Sequence, residues 1–261
     1  MSELSGAIRR VDDVRVPVRK GFGFYFDLAF IPVLLVVLLG GLALYLRSQS
    51  LDDIERRSIT GEQILHRLGE HLELVAASSV AVIVLAIPIG VLLTRPGLRR
   101  ASTVVLPTAN IAQAIPSIGV LALFAIWFGV GFEYAVIALV FVSFLSVLRN
   151  TIVGINGVDP SYVDAARGMG LSKSVVLFRI ELPLAVPVIV AGIRVALILN
   201  VGSAALATFT DAGGLGALIE IGITLSREPV LITGGVLTAC LALAIDWLAG
   251  LAERVLRPRG L

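Results

Sequence analysis

The chain has 261 residues, of which 57% are hydrophobic and only 15% charged, with a net charge of +2. A soluble domain carries about 25% charged residues, so this composition excludes an ordinary water-surrounded globule. The single cysteine, Cys240, excludes an internal disulfide framework and a cysteine-based zinc site within one chain.

Six blocks are apolar over the roughly 20 residues that a bilayer core demands of a helix. They are 28–46, 72–93, 104–128, 134–153, 184–207 and 230–251, the last containing one charge, Asp246. The expected fold is an all-α membrane protein with six transmembrane helices, its spans in contact with lipid. The first block follows a mixed-charge opening segment and carries a cleavage-like Gly41-Leu42-Ala43, as a signal peptide would. It is longer than the roughly 7–15 residues of a signal-peptide core, so it reads as an uncleaved first helix.

Basic residues sort by loop. Arg9, Arg10, Arg15, Arg19 and Lys20 precede the first block, and Arg95, Arg99 and Arg100 follow the second. Arg149 stands at the end of the fourth, Arg167, Lys173 and Arg179 follow it, and Arg254, Arg257 and Arg259 close the chain. In a six-span layout all of these share one side, facing Arg47, Arg56, Arg57, Arg67 and Arg227 on the other. Both termini are therefore expected in the cytoplasm. The positive excess is a topology signal rather than a nucleic-acid footprint. Residues 1–71 then comprise a cytoplasmic segment, the first helix and an external loop. Residues 72–251 form the core, and 252–261 a cytoplasmic tail.

In the first external loop, Thr60-Gly61-Glu62-Gln63 has a capping-box pattern. Ile64, Leu65, Leu68 and Leu72 follow at helical spacing and predict a short amphipathic helix at the interface. His66 and His71, five residues apart, do not share a helical face and are expected to be solvated rather than metal ligands. The last external segment, 211–229, is too apolar for a plain loop and too short to span. It is expected to be a hairpin-like or re-entrant element, tolerated where it is buried or lines a cavity. Asp211, Gly213, Gly214 and Gly216 at its start are candidates for an external gate.

Between the fourth and fifth blocks the chain turns polar: DAARGMGLSKSVVLFRIELP, residues 164–183. Ser161, after Asp159-Pro160, is positioned to cap a helix over 162–168, with Asp164 near its positive end. Ala165 and Ala166 leave a low surface that another protein can approach. Gly168 and Gly170 end the helix and turn the chain. Pro183 sits where a new helix, the fifth span, would start.

Asp164-Ala165-Ala166, then Gly170, then Ile180-x-Leu182-Pro183 resembles the cytoplasmic E-A-A loop of ABC-importer permeases. The spacing matches throughout, and the one departure is Asp164 in place of Glu. Further segments look like the osmoprotectant subgroup: QAIPSIG at 113–119, LRNTIVGINGVDPSYVDAARGMG at 148–170, ELPLAVPVIVAGIR at 181–194 and AGGLGALI at 212–219. The resemblance runs over about 72–251 and implies a type I ABC importer permease fold in a bacterial inner membrane. It implies transport of glycine betaine, carnitine, choline or a similar quaternary amine. It also implies a second permease (the same chain or a paralogue), an extracytoplasmic substrate-binding protein, and separate ATPase subunits that bind ATP and Mg. The loop residues Asp164, Ala165, Ala166, Gly168, Gly170, Ile180, Leu182 and Pro183 would then couple to the ATPase. No cofactor is expected in this chain.

Polar side chains within spans usually face the protein interior or a water path. Asn110, Gln113 and Pro116, the stripe Ser143, Ser146 and Asn150, and the set Arg194, Asn200 and Ser203 are candidates for a translocation path. Interhelical hydrogen bonding is the alternative for each amide, and Gly192 and Ala196 fit close helix packing. Arg194 and Asp246, both in the cytoplasmic half, are expected to pair; otherwise Arg194 snorkels to the interface. No G-x-x-x-x-G-K-[ST] phosphate loop, no G-x-S-x-G elbow and no metal-ligand constellation is present. An enzyme is therefore not expected. The competing readings are an ABC permease for another small solute and a stand-alone channel or secondary carrier.

Overall fold

The computed structural model describes residues 22–98 and 114–256, with 101, 104, 105, 107 and 108 between them. The described residues contain helices and no strand. In order they are α1 (Phe22–Ser48), α2 (Asp53–Ser58), α3 (Gly61–Leu93), α4 (Ser117–Phe128), α5 (Phe132–Asn156), α6 (Pro160–Gly168), α7 (Lys173–Val176), a π turn (Leu177–Glu181), α8 (Leu182–Leu206), a 3-10 turn (Ala207–Thr210), α9 (Gly216–Thr224) and α10 (Glu228–Leu256).

Five segments are long and apolar enough to cross a bilayer: Ala29–Ser48, Gly61–Leu93, Phe132–Asn156, Lys173–Thr210 and Glu228–Arg254. They match five of the six expected spans. The remaining block, 104–128, is not one helix. It bends at 114–116, and Pro116 takes the N-cap position of α4 with extended ψ. Proline lacks an N–H and pushes the preceding residue out of the helical region. The α4 helix has 12 residues, about 18 Å at 1.5 Å per residue, short of the ~30 Å hydrocarbon core.

Two other expectations change. The amphipathic helix at 60–72 is not separate from the second span: α3 runs 33 residues without a break, capped by the Thr60 side chain accepting from the Gln63 N–H. Ile64 and Leu68 pack against Leu215, Leu218 and Val230 instead of lying free at an interface. Likewise Pro183 does not restart a helix. The π turn carries the Leu182 N–H to the Leu177 carbonyl, five residues back. That extra residue widens the helix where the proline ring would meet the carbonyl four residues earlier. One continuous helix therefore runs from Lys173 to Thr210.

The core forms where α3 runs parallel and α8 antiparallel to α5. One cluster joins Leu74, Val75, Val120, Leu121, Leu139 and Val201; another joins Val82, Ala86, Leu148, Ile152 and Ala196. Dispersion rather than water exclusion holds helices together in lipid, so small residues set the approach. A Cβ on Gly192 would collide with Asn150 Cβ on α5. The α1 helix leans on α10 and otherwise presents Val33, Val36, Val37 and Leu44 outward.

Two glycines test this packing. Gly192→Ala should lower the thermal unfolding midpoint in detergent by roughly 3–10 °C, the effect of overpacking by about 1–3 kcal/mol. Gly40→Ala, with nothing within 4 Å of the new methyl, should leave the midpoint level or slightly higher, because alanine is the better helix former.

Candidate functional site

At the end of the bundle where α3 stops and α8 starts, the chain builds an exposed helix–turn–helix. Asp159, not Ser161, caps α6: its carboxylate accepts the Ser161 backbone N–H at 2.8 Å, and Pro160 takes the first helical position. That bond, joined by the Ser161 side chain, holds the Asp159 carboxyl below the usual aspartate range. Proline at the first position leaves the capping role to the residue before it.

The helix ends in a Schellman turn. Leu171 N–H donates to Ala166 O at 3.2 Å and Gly170 N–H to Arg167 O at 2.9 Å, with Gly170 at φ +82°. Gly168 stays helical, so Gly170 alone makes the turn. Ser172 then caps α7. Asp164, Ala165, Arg167 and Gly168 are exposed, but Ala166 is fully buried within the chain. The low surface open to another protein therefore belongs to Ala165. Beside it stand three exposed apolar side chains that sequence reasoning did not single out: Tyr162, Met169 and Phe178 at 54%, 75% and 68% exposure. Their helical positions were visible in the sequence; their outward direction was not. Ile180, Leu182 and Pro183 are half-buried. Arg95, just past α3, reaches Glu181 Oε2 at 2.6 Å and ties this element to the bundle.

The path candidates divide. Asn110 and Gln113 lie outside the described residues. Pro116, Ser146 and Ser203 line one cavity of about 520 Å³ together with Phe141, Val142 and Leu199. Ser143 is buried, its hydroxyl donating to Leu139 O of its own helix at 2.9 Å. Asn150 donates to Ser146 O at 2.7 Å and packs on Gly192. Asn200, fully buried, donates to Ser79 Oγ on α3 at 3.0 Å. Arg194 pairs with Asp246 in bidentate geometry, Nε to Oδ1 and Nη2 to Oδ2 at 2.8 Å, with Glu253 3.7 Å from Nη1. Arg194 thus ties α8 to α10.

The opposite end of the bundle holds the segment from Asp211. Asp211 sits at φ 58°, Gly213 at +75° and Gly214 at +89°. After Leu215, α9 packs back on α10, so α9 and α10 form a helical hairpin closed by the turn at 225–227. Gly216 abuts the Ala205 carbonyl so closely that any Cβ would overlap it. Arg227 pairs with Asp52 at 2.9 Å, clipping α2 to this corner. His71 is not solvated as expected: it is fully buried, Nε2 lying 3.1 Å from Val201 O, and its Nδ1 accepts the Leu215 N–H at 3.3 Å. His66 pairs with Glu70 at 3.2 Å. Among the described residues no cluster of His, Cys, Asp and Glu is placed to hold a metal ion.

A bundle with five helices long and apolar enough to cross a bilayer is the architecture of a multi-pass membrane protein. The family of binding-protein-dependent transport system inner membrane components matches residues 86–258, and the chain belongs to it as a multi-pass inner-membrane protein. It is 39% identical to a glycine betaine/carnitine/choline transport system permease protein of Bacillus subtilis, over 77% of this chain and 92% of that protein. It is 37% identical to an osmoprotectant import permease protein of Salmonella typhimurium, over 85% and 93%. Among solved structures, the inward-facing MetNI methionine ABC transporter superposes with a TM-score of 0.64 at 25% identity, over 75% of this chain and 96% of that one. The resemblance to osmoprotectant permeases read from the loop and its flanking segments therefore holds.

The Arg194–Asp246 pair is half-open, with side chains 37% and 23% exposed, so its loss is discounted for solvent screening. Asp246→Asn and Arg194→Asp should each cost about 1–2 kcal/mol. The swap Arg194→Asp/Asp246→Arg should recover most of that in detergent unfolding. A double variant as unstable as the sum of the singles contradicts the pairing.

Proposed function

We propose that this chain is the permease subunit of an ATP-driven importer for quaternary-ammonium osmoprotectants such as glycine betaine, carnitine or choline. The observation that carries this reading is the loop 159–183. Its D-A-A positions lie on the exposed helix α6, its G makes the turn at Gly170, and its I-x-L-P positions lie on the helix that runs without a break from Lys173 into α8. Separate ATPase subunits dock on that loop and supply the ATP and Mg chemistry. Two permease copies, identical or paralogous, face each other across the path, in six-span subunits with both termini in the cytoplasm. An extracytoplasmic binding protein delivers substrate at the end that carries Asp211, Gly213, Gly214 and Gly216, which serve as the outer gate.

The substrate class rests on the relatives' names and on the cavity. Its described lining combines the hydroxyls of Ser117, Ser146 and Ser203 with Phe141 and aliphatic side chains, none of them charged. A neutral wall with an aromatic face suits a diffuse quaternary cation or a zwitterion passing without tight capture. ATP-driven closure of the ATPases draws the loops together, tilts α8 and turns the path outward. Release of ADP and phosphate resets it.

Gly170→Leu tests the coupling role. The positive φ at Gly170 disfavours any side chain by about 1–2 kcal/mol, which reshapes the turn without touching the spans. In the reconstituted importer, ATP hydrolysis stimulated by the binding protein should fall at least tenfold while the variant keeps its place in the membrane. Normal stimulation contradicts the reading.

A further inference from the structure

Glu70 and His71, neighbours on α3, meet two consecutive backbone amides of the loop before α9. Gly214 N–H donates to Glu70 Oε2 at 2.9 Å, and Leu215 N–H donates to His71 Nδ1 at 3.3 Å. An Nδ1 that accepts carries no proton, so Nε2 holds it and donates to the Val201 carbonyl at 3.1 Å. One neutral imidazole thereby bonds the loop with one nitrogen and α8 with the other. The loop lies directly on these side chains. A Cβ on Gly213 would come within 2.7 Å of the Glu70 carboxylate, and one on Gly214 within 3.2 Å of His71 Nδ1. Arg67 Nη1, at 3.0 Å, and His66 Nε2, at 3.2 Å, brace the Glu70 carboxylate from its own helix.

We propose that Glu70 and His71 are positioning residues for the outer gate: together they clasp residues 213–215 against α3 and α8, and the clasp releases when the path opens outward. This rests on reading 211–216 as that gate. The physical reason for release lies in the placement of the bonds. Two side chain-to-backbone hydrogen bonds join separate elements, and hydrogen bonds weaken steeply with ångström-scale displacement or misalignment. Val201 belongs to the helix that starts at the coupling loop, so movement of α8 strains the same imidazole that holds Leu215. A charge-assisted bond such as Gly214–Glu70 shifts a closed–open balance by about tenfold or more when removed.

The complex, purified with its ATPases and reconstituted in lipid with its binding protein, gives two readouts. The first is ATP hydrolysis without binding protein, which a loosened outer gate raises. Glu70→Ala should raise it about tenfold, whereas Glu73→Ala, which removes an exposed carboxylate of the same helix outside the clasp, should not. His71→Asn keeps an acceptor near the Nδ1 position but loses the bond to Val201, and should lie between wild type and Glu70→Ala; His71→Leu, apolar and similar in bulk, should rise like Glu70→Ala. A packing role predicts the opposite order at position 71, since a buried apolar side chain is tolerated better than a smaller amide. That order, or wild-type hydrolysis in Glu70→Ala, overturns the proposal.

The second readout needs no variant. Amide exchange of the peptide spanning 211–217 should be slow at rest and at least tenfold faster when the wild-type complex is trapped with vanadate and binding protein. Unchanged exchange in a complex whose ATP hydrolysis the binding protein does stimulate overturns the clasp and leaves the transport reading intact. Absence of stimulation in wild type overturns the transport reading, and the clasp with it.

Discussion

The helix from Lys173 to Thr210 passes Pro183 without breaking, and the rest of the architecture depends on that continuity. A proline in a regular α-helix removes one hydrogen bond and collides with the carbonyl four residues back, at a cost of about 3 kcal/mol or more. The π turn at Leu177–Glu181 absorbs the conflict with one extra residue in the turn. The helix thereby runs on from the polar loop to the far end of the bundle, past a second proline, Pro187. In the proposed coupling, displacement at α7 would pass into one long helix instead of being lost in a hinge.

Everything that grips this helix does so by close approach or by polar pairing. Near its start, Glu181 is held by Arg95. Along its length Gly192 admits Asn150, Arg194 takes Asp246, and Asn200 reaches Ser79. At its end, Val201 O meets His71 and the Ala205 carbonyl meets Gly216. Lipid offers no hydrophobic incentive for apolar helices to associate, so small residues and satisfied polar groups supply the specificity. Several side chains that looked like path-lining groups instead hold the bundle together, while Pro116, Ser146 and Ser203 share a cavity. The broken backbone before α4 borders that same cavity, where irregular structure at membrane depth is tolerated.

Much of this was legible in the sequence, for reasons that differ by element. Five spans follow from apolar length alone, and the loop 164–183 from its spacing. The Arg194–Asp246 pair follows from the cost of an intramembrane charge without a partner. Where the reading missed, a contact between distant segments or a local backbone choice decided. His71 looked solvated because its partners, Leu215 and Val201, are more than a hundred residues away in sequence. Ala166 looked like surface because the turn of α6 that buries it depends on how the loop folds back. Pro183 looked like a helix start because a π turn leaves no compositional trace, and the same residue type at Pro116 does begin one. Asp159 capped α6 ahead of Ser161 because Pro160 had already taken the first helical position.

The central claim is that the exposed face of α6 and its following turn docks a separate ATPase. The most direct measurement is purification of the tagged protein from its native membrane under gentle conditions, with identification of every protein that accompanies it. Wild type is compared with Met169→Asp, a charge placed on a side chain that is 75% exposed and outside the spans. An ATPase should accompany wild type and be lost from the variant, while the variant accumulates in the membrane normally. An ATPase retained by Met169→Asp, or none with wild type, would contradict it, the second result favouring a stand-alone channel or carrier.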